Sequence, residues 1–147
     1  MPAKTVAEAL QQAELYSDDY LYCFIKLPAN AVVVAASIVA ETNNPFTALL
    51  VDKDEVTLML EEEDYGEYQR RLLDAEVSEI RYRLITFDIE LAPTMVGFMA
   101  TISAALAEAG ISLMPFAAYS RDHIFVNQRD YEKTIAILNT LKGTQSA

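Results

Sequence analysis

Residues 96–112 read Val96-Gly97-Phe98-Met99-Ala100-Thr101-Ile102-Ser103-Ala104-Ala105-Leu106-Ala107-Glu108-Ala109-Gly110-Ile111-Ser112, and residues 119–126 read Tyr119-Ser120-Arg121-Asp122-His123-Ile124-Phe125-Val126. A helix here runs from a cap at Thr94 to Ala109, with Met95, Phe98, Met99, Ile102 and Leu106 on one face. Gly110 sits just past its end, where a left-handed backbone is needed. Ile111–Tyr119 is a strand, and Pro115 inside it marks it as an edge strand, because proline cannot donate to a sheet ladder. Ser120–Asp122 is the turn and His123–Asn127 the return strand. Asn127 or Asp130 then caps a last helix that reaches Lys142 and stops at Gly143. With the strand before it, the order is β-α-β-β-α, a ferredoxin-like half that lacks a clear final strand.

That preceding strand is the longest in the chain, Ile80–Leu91. Its apolar alternation slips. Ile80, Tyr82 and Leu84 share one face, and after them Ile85, Phe87, Ile89 and Leu91 carry the apolar pattern. A slip of one residue means a bulge, or one strand shared by two sheets. A domain boundary is placed just before it, near residue 78.

The first half is less legible. Thr5-Val6-Ala7-Glu8 matches a capping box and starts a helix through about Leu15. Tyr20–Leu27 reads as a strand buried on both faces, and Pro28 ends it. Ala31–Glu41 is ambiguous: its valines favour a strand, its alanines and its length a helix. Phe46–Val51 and Val56–Leu60 flank Asp52-Lys53-Asp54-Glu55 as a hairpin. Asp64–Ala75 reads as a helix, acidic first and basic last, as the helix dipole prefers. If Ala31–Glu41 is helical, the two halves share one element order, and the expected domains are an N-terminal helical extension over 1–15, a first unit over 16–77 and a second over 78–147.

Composition removes several function classes. The 147-residue chain has 22 acids against 11 Lys and Arg, a formal charge of −11. Phosphate binding needs clustered bases, so nucleic acid and anionic membrane surfaces are not expected partners. The hydrophobic fraction of 52% is high for a chain with so much surface for its volume, which favours a homodimer. Cys23 is the only cysteine, reads as a buried inert thiol, and permits no internal disulfide. No stretch reads as a signal peptide or membrane span, so the cytoplasm is the expected compartment. Glu61-Glu62-Glu63-Asp64 reads as a solvated helix start. Asp52-Lys53-Asp54 lacks the glycine and closing glutamate of a calcium loop. No phosphate loop, dinucleotide fingerprint or zinc spacing is present, so neither a metal nor another cofactor is expected. His123, the lone histidine, has no paired nucleophile motif, so no catalytic residue is assigned.

The phrase Ile102-Ser103-Ala104-Ala105-Leu106-Ala107-Glu108-Ala109-Gly110-Ile111, after Gly97 and before the Arg121-Asp122-His123 hairpin, resembles the ACT domain, a small-molecule-binding regulatory module. The resemblance spans residues 80–142. The hairpin, and the stretch from Phe46 to Leu58, look like one branch: small bacterial tandem-ACT proteins, similar in architecture to eukaryotic amino-acid sensors of the CASTOR type. The resemblance implies an α+β fold of two ferredoxin-like (βαββαβ) halves with antiparallel sheets backed by helices. It implies a non-enzymatic sensor whose ligand, an amino acid first, lies where the strand-to-helix loop faces an edge strand. Mapped residue by residue, the ligand set is Thr94, Met95, Val96, Gly97, Tyr119, Asp122 and His123. The alternative is a ligand-free interaction or dimerisation module on the same scaffold.

Overall fold

A computed structural model describes residues 2–146; Met1 and Ala147, the outermost residues of the expected domains, lie outside it. In chain order the elements are α1 (Val6–Gln12), β1 (Glu14–Tyr16), β2 (Tyr22–Pro28), α2 (Val32–Glu41), β3 (Ala48–Val51), β4 (Glu55–Glu61), α3 (Glu62–Tyr68), β5 (Glu76–Asp88), α4 (Phe98–Glu108), β6 (Leu113–Ala117), β7 (Asp122–Asn127) and α5 (Tyr131–Ser146). Two compact units form: Tyr20–Tyr82 is one, and residues up to Asp19 join those from Arg83 onward as the other. The units therefore divide inside β5 rather than just ahead of it. Among the described residues, no helix is long and apolar enough to cross a membrane.

Within the Tyr20–Tyr82 unit the strand order is β3-β4-β2-β5. β2 and β4 pair antiparallel from Tyr22↔Glu61 to Pro28↔Glu55. The β3–β4 hairpin closes at Val51↔Val56. Asp52 fixes that turn: its Oδ1 accepts from the amides of Asp54 at 2.8 Å and Glu55 at 2.9 Å, the local bonding expected of Asp in a turn. Cys23, Ile25 and Leu27 point into a core with Val56, Leu58 and Leu60. The other face of β2 is graded from buried Tyr22 to exposed Lys26, not buried throughout as its composition suggests.

The ambiguous segment is a helix. Ala35 and Ile38 of α2 are fully buried in that core, a spacing of three that puts both on one helical face. Val33 is 81% exposed. Burying one apolar stripe outweighs the few tenths of a kcal/mol by which valines disfavour a helix. The acidic run is a helix start, but its first member caps it: the buried Glu61 carboxylate accepts from the amides of Glu63 at 3.0 Å and Asp64 at 3.2 Å. α3 therefore begins at Glu62, earlier than expected, and gives way to a 3-10 turn over Gln69–Arg71. Asp74, at φ +59, ends the segment before β5. Cys23 is fully buried, and burial pushes its thiol up to about 11.

β5 carries a bulge against β2. From Cys23↔Arg81 to Ile25↔Val77, two steps on β2 meet four on β5. The two extra residues preserve side-chain parity, since the strand period is two. Ser78 stabilises the detour, its hydroxyl accepting from the Ile80 amide and its carbonyl from Arg81 Nη1. The apolar slip at Leu84–Ile85 lies further on, just past the division between units, where β5 runs on without a break. Leu84, Ile85, Thr86 and Phe87 are all buried in succession.

In the other unit the strand order is β1-β5-β7-β6. β1 pairs antiparallel with the end of β5: Glu14↔Asp88, Leu15↔Phe87, Tyr16↔Thr86. The missing fourth strand thus comes from the N-terminal end of the chain. This corrects the expected helical extension over 1–15, since α1 stops at Gln12 and Leu15 lies in a strand. β6 is an edge strand, and Pro115 sits in it opposite Ile124. α1, α4 and α5 pack on the sheet face that carries Ile85, Phe87, Ile124 and Val126. Asn127 caps the 3-10 turn Gln128–Asp130 ahead of α5. Gly143 does not stop α5, which continues to Ser146; the positive-φ glycines are Gly97 and Gly110, so Gly143 has no helix-ending conformation.

Candidate ligand site

The loop from β5 to α4 makes one wall of a cavity of about 380 Å³, through Leu91, Ala92, Pro93, Met95 and Gly97. Two bonds shape it. The Leu91 amide donates to the Ser120 carbonyl at 2.6 Å, and the Met95 amide to the Ala92 carbonyl at 2.9 Å. Thr94 does not cap the helix. Gly97 is the N-cap residue, at φ +96 and ψ −2, and no side chain caps α4. Helix bonding begins with the Thr101 amide on the Gly97 carbonyl at 3.0 Å. The amides of Phe98, Met99 and Ala100 precede that first bond, and an α-helix leaves such amides without an internal partner. All three residues line the cavity. The expected helix was capped by Thr94, so the amides of the helix start lie further along the chain than expected.

The opposite wall is the β6–β7 hairpin, residues 117–122. The Ala118 amide donates to the Arg121 carbonyl at 3.0 Å to close the turn. Arg121 Nη1 pairs with Asp88 Oδ1 at 2.6 Å. Asp122 faces the cavity half-buried, and burial raises its carboxyl above the usual range. Tyr119, in this wall, is 92% exposed, and Val96, in the facing loop but outside the lining, 88%.

Of the sequence-expected ligand residues, Met95, Gly97, Tyr119 and Asp122 line this cavity, whereas Thr94, Val96 and His123 are not in its lining. His123 lies on β7, its Nδ1 2.7 Å from the hydroxyl of buried Thr86. Burial, then the Arg121 charge, lowers its pKa below that of a free histidine. Sequence reasoning missed Phe98, Met99 and Arg121, although the apolar helix start and the charged turn were both in view. Among the described residues, no three His, Cys, Asp or Glu side chains gather to hold a metal.

Residues 77–140 match the family model of the ACT domain. A comparison with curated proteins returns no match. Among solved structures, a Vibrio cholerae protein of unknown function is similar at 27% identity and TM-score 0.70, over 90% of this chain and 92% of that one. The ligand-free regulatory subunit of aspartate kinase from Thermus thermophilus matches at 15% identity and TM-score 0.61, over 89% of this chain and 97% of that one. Clostridium acetobutylicum aspartate kinase matches at 16% identity and TM-score 0.62, over 85% of this chain but 34% of the enzyme. At those identities the kinase likenesses are likenesses of fold.

Proposed function

We propose that the chain is a non-enzymatic regulatory protein of tandem-ACT type, with the CASTOR-like plan of two such units, that binds a free amino acid beside the start of α4. The ACT match over 77–140 supports a regulatory ligand-binding role. The observation that carries the site is one cavity holding both an uncapped helix start and a carboxylate. Amides at a helix start attract a carboxylate, helped by the helix dipole. Asp122 offers its charge to an ammonium. Leu91, Met95, Phe98 and Met99 supply an apolar wall, which fits an aliphatic or thioether side chain. The protein acts in the cytoplasm as a homodimer, with exposed Leu50 and Val51 on edge strand β3 as the apolar contact.

The test is a thermal-shift panel of the standard amino acids. A specific ligand raises stability as RT ln(1 + [L]/Kd), so one or a few apolar amino acids should raise Tm in a saturable manner. No shift from any of them would remove this reading. The exposed side chains of Val96 and Tyr119 favour the interaction-module alternative, which would then stand.

A further inference from the structure

The cavity's loop leans on the N-terminal segment. Ala3 is only 5% exposed, forms a parallel bridge with Leu91, and donates its amide to the Glu90 carbonyl at 3.4 Å. Val6 packs behind Gly97: a Cβ built on Gly97 would lie 3.8 Å from Val6 Cγ2. Leu91 and Gly97 stand at the two ends of the wall-forming loop. Leu91 is also bonded to Ser120, on the opposite wall. Ala3, Leu91 and Ser120 thus tie the N-terminal segment, the loop and the hairpin in series.

The rear of this segment is firmly held. Ala9, Leu10 and Ala13 are buried in the core, Lys142 donates to the Ala13 carbonyl, and β1 completes the sheet. Its front is positioned by the helix cap at Thr5, which accepts from the Glu8 amide, and by Glu8 accepting from the Lys4 amide.

We propose that residues 3–6 are a positioning element of the ligand site, and that ligand in the cavity and docking of these residues reinforce each other. The second half rests on the amino-acid reading of the cavity. A ligand held by the loop needs Leu91 and Gly97 in place, and the docked residues 3–6 hold them there. Linkage makes the effect reciprocal: the factor by which docking tightens binding is the factor by which binding tightens docking.

Two variants of the full chain test this, Val6→Ala and Ala3→Pro, with L-methionine as the probe. In the free protein, each should speed amide exchange at Leu91 and Met95 roughly three- to tenfold, the scale of one lost contact or hydrogen bond. Exchange in β2 and β4 should stay as in the parent chain, which separates a local effect from general unfolding. If Ala3→Pro raises exchange everywhere, the milder Val6→Ala decides. Methionine affinity should fall by a similar factor, and methionine should slow exchange at the Ala3 and Ala9 amides of the parent chain. Loop exchange unchanged in Val6→Ala would overturn the positioning role, even where methionine binds normally. Failure of methionine and the other apolar amino acids to bind the parent chain would overturn the amino-acid reading and the coupling with it, while loop exchange still decides the positioning role.

Discussion

Gly97 turns the chain from the cavity loop into α4 at φ +96, a backbone region that costs side-chain-bearing residues roughly 1–2 kcal/mol. A Cβ there would meet nothing closer than 3.8 Å, so conformation, not crowding, demands glycine. Gly97→Ala should therefore lower stability by about 1 kcal/mol in urea denaturation. The sequence set Gly97 among the expected ligand residues, but a dihedral cannot be read from a residue name. Asp122 gives a pH-resolved prediction. Its carboxyl is raised by burial, so the folded state holds the proton more tightly than the unfolded chain. Ionised Asp122 thus costs folding free energy above its folded pKa, and the cost disappears below about pH 4, where both states are protonated. Asp122→Asn should raise Tm at pH 7, leave it unchanged near pH 3, and weaken amino-acid binding. A carboxylate that costs stability while facing a cavity is what a binding role would leave behind.

Among the elements, α1 and β1 separate what pattern can and cannot reveal. The capping box of α1 was visible in four residues, and Thr5 Oγ1 does accept from the Glu8 amide at 3.1 Å. Thr5→Ala should cost about 1 kcal/mol of stability in the same denaturation assay. The Glu8 carboxylate, however, accepts from Lys4 rather than from Thr5. β1 was invisible because three residues hold too little alternation to read, and its partners Thr86, Phe87 and Asp88 are remote in sequence. α2 was undecidable locally, since its valines and alanines argue oppositely; the core stripe of Ala35 and Ile38 decides it. In the site, the hairpin was legible from turn chemistry, whereas Asp122 entered through the resemblance and lies in β7 rather than in the turn. The helix start was misplaced because Thr94 is a good cap by type, yet the Met95 amide turns back to Ala92 and delays the helix to Phe98.

For the whole molecule, charge and strand sharing matter most. A formal charge of −11 on 147 residues places the compact state under self-repulsion that salt screens. Raising NaCl from roughly 20 mM to roughly 500 mM should therefore raise Tm, by a few degrees, and a fall on adding salt would contradict it. The shared element order was legible only on the helical reading of residues 31–41, which α2 bears out, and the apolar slip in β5 allowed a bulge or a shared strand. What pattern could not reveal is that β1 pairs with the far end of β5. It follows that a circular permutation would bring β1 into line after α5. Reopened between Asp19 and Tyr20, with residues 2–19 carried behind α5, the chain would run strand, helix, two strands, helix and strand to β5, and from β5 through the same order again but with the extra helix α1 ahead of β1. No single cut of the natural chain separates the two units with both whole. A break between Tyr82 and Arg83 leaves the C-terminal fragment without its fourth strand, which stays on the other piece as an orphan.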